Sequence, residues 1–270
     1  MKLTRLLEIV TLFGWGMIDS LSIHRVIFLL ILSPKLRYVV TQSILFNGVI
    51  FLVSTLIIDY CLNYLLVEDM KIVISCFIYL FWVYPIYCIS LILCTYWNKD
   101  IASITYIFIG IKQHVACKSL KHICFSVAED IYNILVISTY FIQVLLINKI
   151  PYIGCFISVI QLSWGYSFTS FDYKWSLEGL SLTNKFYLCE NNWEYMSGFG
   201  IIPAIITIWT SKYIGISLLA LLAPLFIMTS MLATNNKHIT NNYIPIFSIV
   251  RRFNSLLVNM LNRKQRNYKI

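Results

Sequence analysis

Residues 72–94 read IVISCFIYLFWVYPIYCISLILC, from Ile72 to Cys94, an uncharged run of 23 residues. A helix rises 1.5 Å per residue, so about 20 apolar residues cross about 30 Å of hydrocarbon. This stretch predicts a membrane-spanning helix with Trp82 and Pro85 inside it, a kink at Pro85, and an interfacial belt at Tyr96-Trp97. A second uncharged stretch, Val39–Ile58, predicts another span, and between the two lie Asp59, Glu68, Asp69 and a single base, Lys71. The whole chain agrees with this solvent. Of 270 residues, 59% are hydrophobic, 16% aromatic and only 12% charged, and the mean hydropathy is +0.76. Soluble domains carry about 25% charged and about 45–50% apolar residues. Water-soluble enzymes and disordered chains are excluded, as are outer-membrane barrels, whose strands alternate. The fold class is an all-α integral membrane protein.

The 21 Lys+Arg exceed the 12 Asp+Glu, a formal charge of +9. The bases flank apolar segments, as membrane orientation requires, and do not gather into a nucleic-acid surface. Lys35 and Arg37 precede the first span, and Lys99, Lys112, Lys118 and Lys121 follow the second. The positive-inside rule then places both termini and residues 97–122 in the cytosol, with 59–71 opposite. Of the eight cysteines, Cys76, Cys88, Cys94 and Cys155 lie within apolar runs, and no C-x-x-C or N-glycosylation sequon occurs. A secreted disulfide framework is excluded on that pattern.

Along the chain, one membrane domain is expected, in six parts. Residues 1–37 hold an amphipathic helix over Met1–Ser22 and an apolar stretch, Val26–Leu32, too short to cross. Residues 38–96 hold the two spans. Residues 118–173 hold a helical hairpin, Ile131–Ile147 and Tyr152–Phe171, turning at Asn148-Lys149-Ile150-Pro151. Residues 174–200 form a polar link, expected to be cytosolic or interfacial. Residues 201–233 form a second hairpin, Ile201–Ser211 and Tyr213–Leu232. Apolar arms this short favour hairpins that enter halfway and return over two tilted spans. In 243–270, Ile246, Ile249, Val250, Phe253, Leu256, Leu257, Met260 and Leu261 keep helical spacing. Arg251, Arg252, Arg263, Lys264, Arg266 and Lys269 add charge without one acid, which describes a helix on an anionic cytosolic leaflet.

Several pieces resemble the etoposide-induced protein 2.4 family. They are Phe171-Asp172-Tyr173-Lys174-Trp175, then Glu190-Asn191-Asn192-Trp193-Glu194-Tyr195, Gly198-Phe199-Gly200 and Pro224-Leu225-Phe226, with Trp82, Pro85, Trp97 and Asp100 upstream and Phe247-Ser248 downstream. The resemblance covers most of residues 38–262. It implies residence in the endoplasmic reticulum and a part in autophagy, growth arrest or apoptosis, as for the family's animal members. Through the bacterial CysZ sulfate permeases it also implies half-inserted hairpins and a sulfate-like anion as a second reading.

Few positions could carry chemistry. Leu36-Arg37 follows Ser33-Pro34-Lys35 and resembles the CysZ stretch where a helix start and an arginine meet sulfate. Free N–H groups and a guanidinium suit such an anion, although a basic flank is also what orientation alone requires. Asp172, at the end of an apolar run, is read as an ion pair with Lys174 or an interface anchor. Glu129 and Asp130 are read as helix-dipole partners. His114, Cys117, His122 and Cys124 lack zinc spacing. No nucleophile elbow or phosphate loop occurs, and Gly198-x-Gly200 with Pro203 is read as a hinge. The expectation is a non-enzymatic protein without cofactor or metal, partnered by lipid and by further copies or other proteins.

Overall fold

The computed structural model describes residues 2–64, 73–74, 77–110, 120–210, 212–233 and 243–256. His114, Cys117, the acids Glu68 and Asp69, and the tail beyond Leu256 lie outside them, as do the side chains of His122, Cys124, Glu129 and Asp130. Every regular element among the described residues is helical. In chain order these are α1 (Lys2–Ser20), α2 (Ile23–Leu32), α3 (Pro34–Ile44), a π-helical segment (Leu45–Val53) and α4 (Ser54–Tyr64). A second π segment (Tyr79–Val83) leads into α5 (Tyr84–Phe108). Then follow α6 (Leu120–Ile147), α7 (Gly154–Leu177), α8 (Leu182–Asn191), α9 (Trp193–Trp209) and α10 (Lys212–Leu232).

Among the described residues two runs are long and apolar enough to cross a membrane: Leu80–Phe108 and Thr4–Leu32, each of 29 residues with hydropathy 1.6. The first contains most of the strongest expected span but carries on past Cys94 through Trp97 and Asp100. Trp97 lies within this helix and is half-buried. Its ring packs edge-on against Phe46, centroids 5.7 Å apart. The second run corrects the N-terminal reading. Only Leu21 and Ser22 separate α1 from α2, so Val26–Leu32 ends a long apolar run instead of standing alone. Val39–Ile58 is helical throughout but lies outside these two runs, broken by the wide turns at Leu45–Val53. Pro85 is the second residue of α5. It lacks an N–H, its ring crowds the carbonyl four residues back, and the π turns of Tyr79–Val83 sit just there.

The chain packs as two compact units. One comprises Ile18–Gln113 and Ile202–Ala233. Its core joins Val26 and Leu29 of α2, Leu36, Val39 and Val40 of α3, Ile101 of α5 and Met228 of α10. α10 lies against α5, the first π segment, α2 and α3. The second arm of the expected second hairpin is thus a packed core helix. A buried polar clamp ties the first π segment to α5. The Ser90 hydroxyl donates to the Asn47 carbonyl at 2.8 Å, and the Asn47 amide donates to Ser43 Oγ at 3.3 Å and Cys94 Sγ at 3.1 Å. Polar groups in an apolar medium hold helices together when each finds a partner.

The other unit comprises Met1–Met17, His114–Ile201 and Thr234–Ile270. Here α6 and α7 form the expected antiparallel pair, with Tyr152 at φ 65° in the turn. The Tyr140 hydroxyl donates to the Gln161 carbonyl at 2.8 Å, and Ser158 Oγ to that of Val144 at 3.4 Å. These helices have 28 and 24 residues, and rise about 42 and 36 Å at 1.5 Å per residue. They outlast their apolar arms, so length does not argue for half-insertion. α9 starts at Trp193, not Ile201, and runs unbroken through Gly198, Gly200 and Pro203. The expected hinge is instead a site of backbone contact. A Cβ on Gly198 would strike the Phe13 carbonyl of α1, one on Gly200 the Ser163 carbonyl of α7, and one on Gly16 the Tyr195 carbonyl. The two α9 glycines point to opposite sides, each admitting a different helix. Gly198→Leu or Gly200→Leu should destabilise the protein by about 1–3 kcal/mol through overpacking. Gly14→Ala, whose Cβ meets open space, should be neutral or gain up to about 1 kcal/mol of helix propensity. Thermal unfolding in detergent, followed by circular dichroism, measures both.

Candidate functional site in the buried polar link

The link at 174–200 turns one face inward: Lys174, Lys185, Glu190, Asn191 and Glu194 are all at most 7% exposed, while Ser176, Ser181, Thr183, Asn184 and Tyr187 are exposed. Burying ions is costly unless they are paired and hydrogen-bonded, and two clusters meet that condition.

The first centres on Asp172 of α7. Its carboxylate takes Lys185 Nζ at 2.7 Å and the Asn133 amide at 3.1 Å, while Lys185 also donates to Ser176 Oγ at 2.6 Å. The ion pair was foreseen; its partner was not. Residues two apart on a helix do not face each other, so Lys174 turns away from Asp172. It lies one turn from Glu178, whose carboxyl burial pushes up and Lys174 pulls partly back.

The second cluster centres on Glu190 of α8, 1% exposed. Each carboxylate oxygen accepts two donors. Oε1 takes the Phe247 N–H at 2.9 Å and Arg251 at 3.1 Å; Oε2 takes the Tyr243 hydroxyl at 2.9 Å and Arg251 at 3.0 Å. The Ile244 N–H donates to the Glu190 carbonyl at 3.2 Å, and the Arg251 guanidinium lies 5.5 Å from the Phe186 ring centroid. The C-terminal segment is thereby strapped to α8. Arg251 was read as part of a basic face on lipid, but it turns inward because Glu190 needs a cation. Beside it, burial and the Glu190 charge push the Cys189 thiol far above its ordinary range, which suits packing and not nucleophilic attack.

The motif residues mostly build the core of this unit. Phe171 packs on Phe199 at 4.9 Å and on Trp175 at 5.6 Å, and Tyr195 lies 6.1 Å from Phe171. Phe168, Phe186 and Phe247 close the cluster at 4.9–5.1 Å. The Trp193 carbonyl accepts the Trp164 indole N–H at 3.1 Å, and the Asn192 amide donates to the Leu188 carbonyl at 2.8 Å at the break between α8 and α9. Tyr173 is partly buried. Trp82 and Pro85 are exposed, Asp100 partly so, and with Trp97 they belong to the other unit.

Leu36 and Arg37 occupy the start of α3. Ser33, extended at φ −113° and ψ 101°, caps it by accepting the Leu36 N–H at 3.3 Å, with Pro34 in the first turn. Leu36 is fully buried and its amide is already taken; Arg37 is exposed. An anion at this point would meet mainly the guanidinium.

Residues 22–231 match the family described as Sulfate transporter CysZ/Etoposide-induced protein 2.4. The chain belongs to this family. Among curated relatives, a Protein EI24 homolog of Dictyostelium discoideum is 31% identical, covering 97% of this chain and 87% of that protein. Another of the same name, from Arabidopsis thaliana, is 28% identical and covers 83% of each. No solved structure matches the chain. The matched family region thus includes both Asp172 and Glu190 but stops short of Arg251.

The sequence places Glu190 in the family motif and Arg251 in the basic tail but does not pair them, and the Asn47 clamp is absent from that reading. The available signal for the clamp is two pairs at helical spacing, Ser43/Asn47 and Ser90/Cys94. Glu190→Ala should destabilise the protein by about 3 kcal/mol, the lower end for a broken buried pair because Arg251 remains 31% exposed. A double-mutant cycle on Asp172 and Lys185 should give a coupling above the roughly 0.2–1 kcal/mol of surface pairs. Denaturant unfolding in micelles reads both.

Proposed function

We propose that the protein is a multi-pass resident of the endoplasmic-reticulum membrane with both termini in the cytosol. It acts there, without catalysis, in autophagy, stress or growth control through contacts with lipid, with further copies and with other proteins. Membership of the family across residues 22–231 carries the reading, together with two runs apolar enough to cross a bilayer. The packing supports it in kind. Asp172 and Glu190 are paired with Lys185 and Arg251 inside the protein, while large apolar side chains such as Phe28, Ile31, Leu146 and Phe156 face outward at 62–75% exposure. In this reading the α6–α7 hairpin, tipped by Ile150, Tyr152 and Ile153, dips into the bilayer.

A second reading is a sulfate-class anion carrier. The family's description includes a sulfate transporter, and Arg37 stands exposed at a helix start. Two assays separate the readings. A tagged chain should co-localise with an endoplasmic-reticulum marker, and its depletion should alter autophagic flux; residence elsewhere, or unchanged flux, removes the first. Purified chain in liposomes should take up labelled sulfate, and lose that uptake on Arg37→Ala, only if the second holds.

A further inference from the structure

The strapped C-terminal segment has two faces of different character. Residues 248–256 are helical. Toward the protein, Ile246, Phe247, Val250 and Asn254 are at most 8% exposed. Phe247 stacks among Tyr140, Phe168 and Phe186, and Asn254 accepts the Thr139 hydroxyl at 3.2 Å. On the far side, Ile249, Phe253 and Leu256 repeat at helical spacing and are 67%, 51% and 57% exposed. Arg252 is exposed beside them.

We infer that this outer face rests on an anionic phospholipid surface, with the Glu190 strap fixing its orientation. The inference rests on the membrane reading above and specifies one lipid contact within it. Charge decides the occupant. From Ile246 to the end, the chain holds Arg251, Arg252, Arg263, Lys264, Arg266 and Lys269 and no acid. Glu190 takes Arg251 inward, which leaves Arg252 as the exposed base beside Ile249, Phe253 and Leu256. A second copy would bring like charge to the same face. An anionic leaflet supplies both the apolar boundary for Ile249, Phe253 and Leu256 and the opposite charge. Glu190 is a positioning residue: with Phe247 and Arg251 docked, helical spacing leaves only the lipid-facing stripe outward.

The test is limited trypsin digestion of the full chain in nanodiscs of phosphatidylcholine alone or mixed with phosphatidylserine, with cleavage after Arg252 and Arg263 followed by mass spectrometry. Each base near an anionic surface contributes about a fivefold change in partition, so cleavage should be at least about tenfold slower in the mixed discs. The difference should vanish at 1 M salt, where the Debye length is about 3 Å. A Phe253→Ser/Leu256→Ser chain, altered only on the exposed face, should lose most of the protection. Equal rates in both discs, or protection that survives this double substitution, overturn the inference. Protection as strong in phosphatidylcholine alone also overturns it and points to a protein or second copy on the face. A chain retained in the discs but unprotected leaves the membrane reading standing; a chain that leaves the discs defeats both.

Discussion

The carboxylate of Glu190 is the interaction on which the second unit depends. A carboxylate at 1% exposure is tolerable only if its lone pairs are filled, and three donors fill them through four contacts. All three, the Phe247 amide, the Tyr243 hydroxyl and the Arg251 guanidinium, come from a segment more than fifty residues later in the chain. Satisfying one charge therefore dictates where the C-terminus goes. It also explains why Phe247 reaches the aromatic cluster of Phe168 and Phe186.

Steric constraint does comparable work without charge. α9 passes between α1 and α7 because Gly198 and Gly200, on opposite sides of the helix, together with Gly16 of α1, carry no Cβ at the contacts. Close backbone approach lets Ser167 Oγ reach the Met196 carbonyl at 2.5 Å and brings the Trp164 indole to Trp193. In lipid there is little hydrophobic drive between helices, so close contact and internal hydrogen bonds supply the association. The Asn47–Ser90–Cys94 clamp does the same in the other unit.

How much of this was legible in the sequence follows from which forces are local. The all-helical class, the contact between α6 and α7, and a long apolar helix over much of Ile72–Cys94 rest on composition and apolar length, and they are readable. Ser33-Pro34 at the start of α3 is equally local. The pairing inside the polar link is not local: its ions meet across gaps of 13 and 61 residues. The hinge at Gly198-x-Gly200 differs for a related reason. Glycine frees the backbone, but it also removes a Cβ, and only the neighbours in space show which property is used. Arg251 belongs by position to a basic tail, and Glu190 turns it inward.

This packing changes what substitutions in the motif can reveal. Phe171, Trp175, Tyr195, Phe199, Gly198 and Gly200 hold the core together, so altering them disturbs the fold before it can inform on any activity. Asp172 carries the same difficulty, since its loss leaves Lys185 buried without its counter-charge. Informative substitutions are those on exposed groups whose removal costs the core nothing: Arg37 at the start of α3, and Phe253 and Leu256 on the outer face of the tail. A function that survives changes at all three would have to operate elsewhere on the surface. A function lost only at Arg37, or only at the tail, would separate an anion site from a lipid contact without the fold intervening.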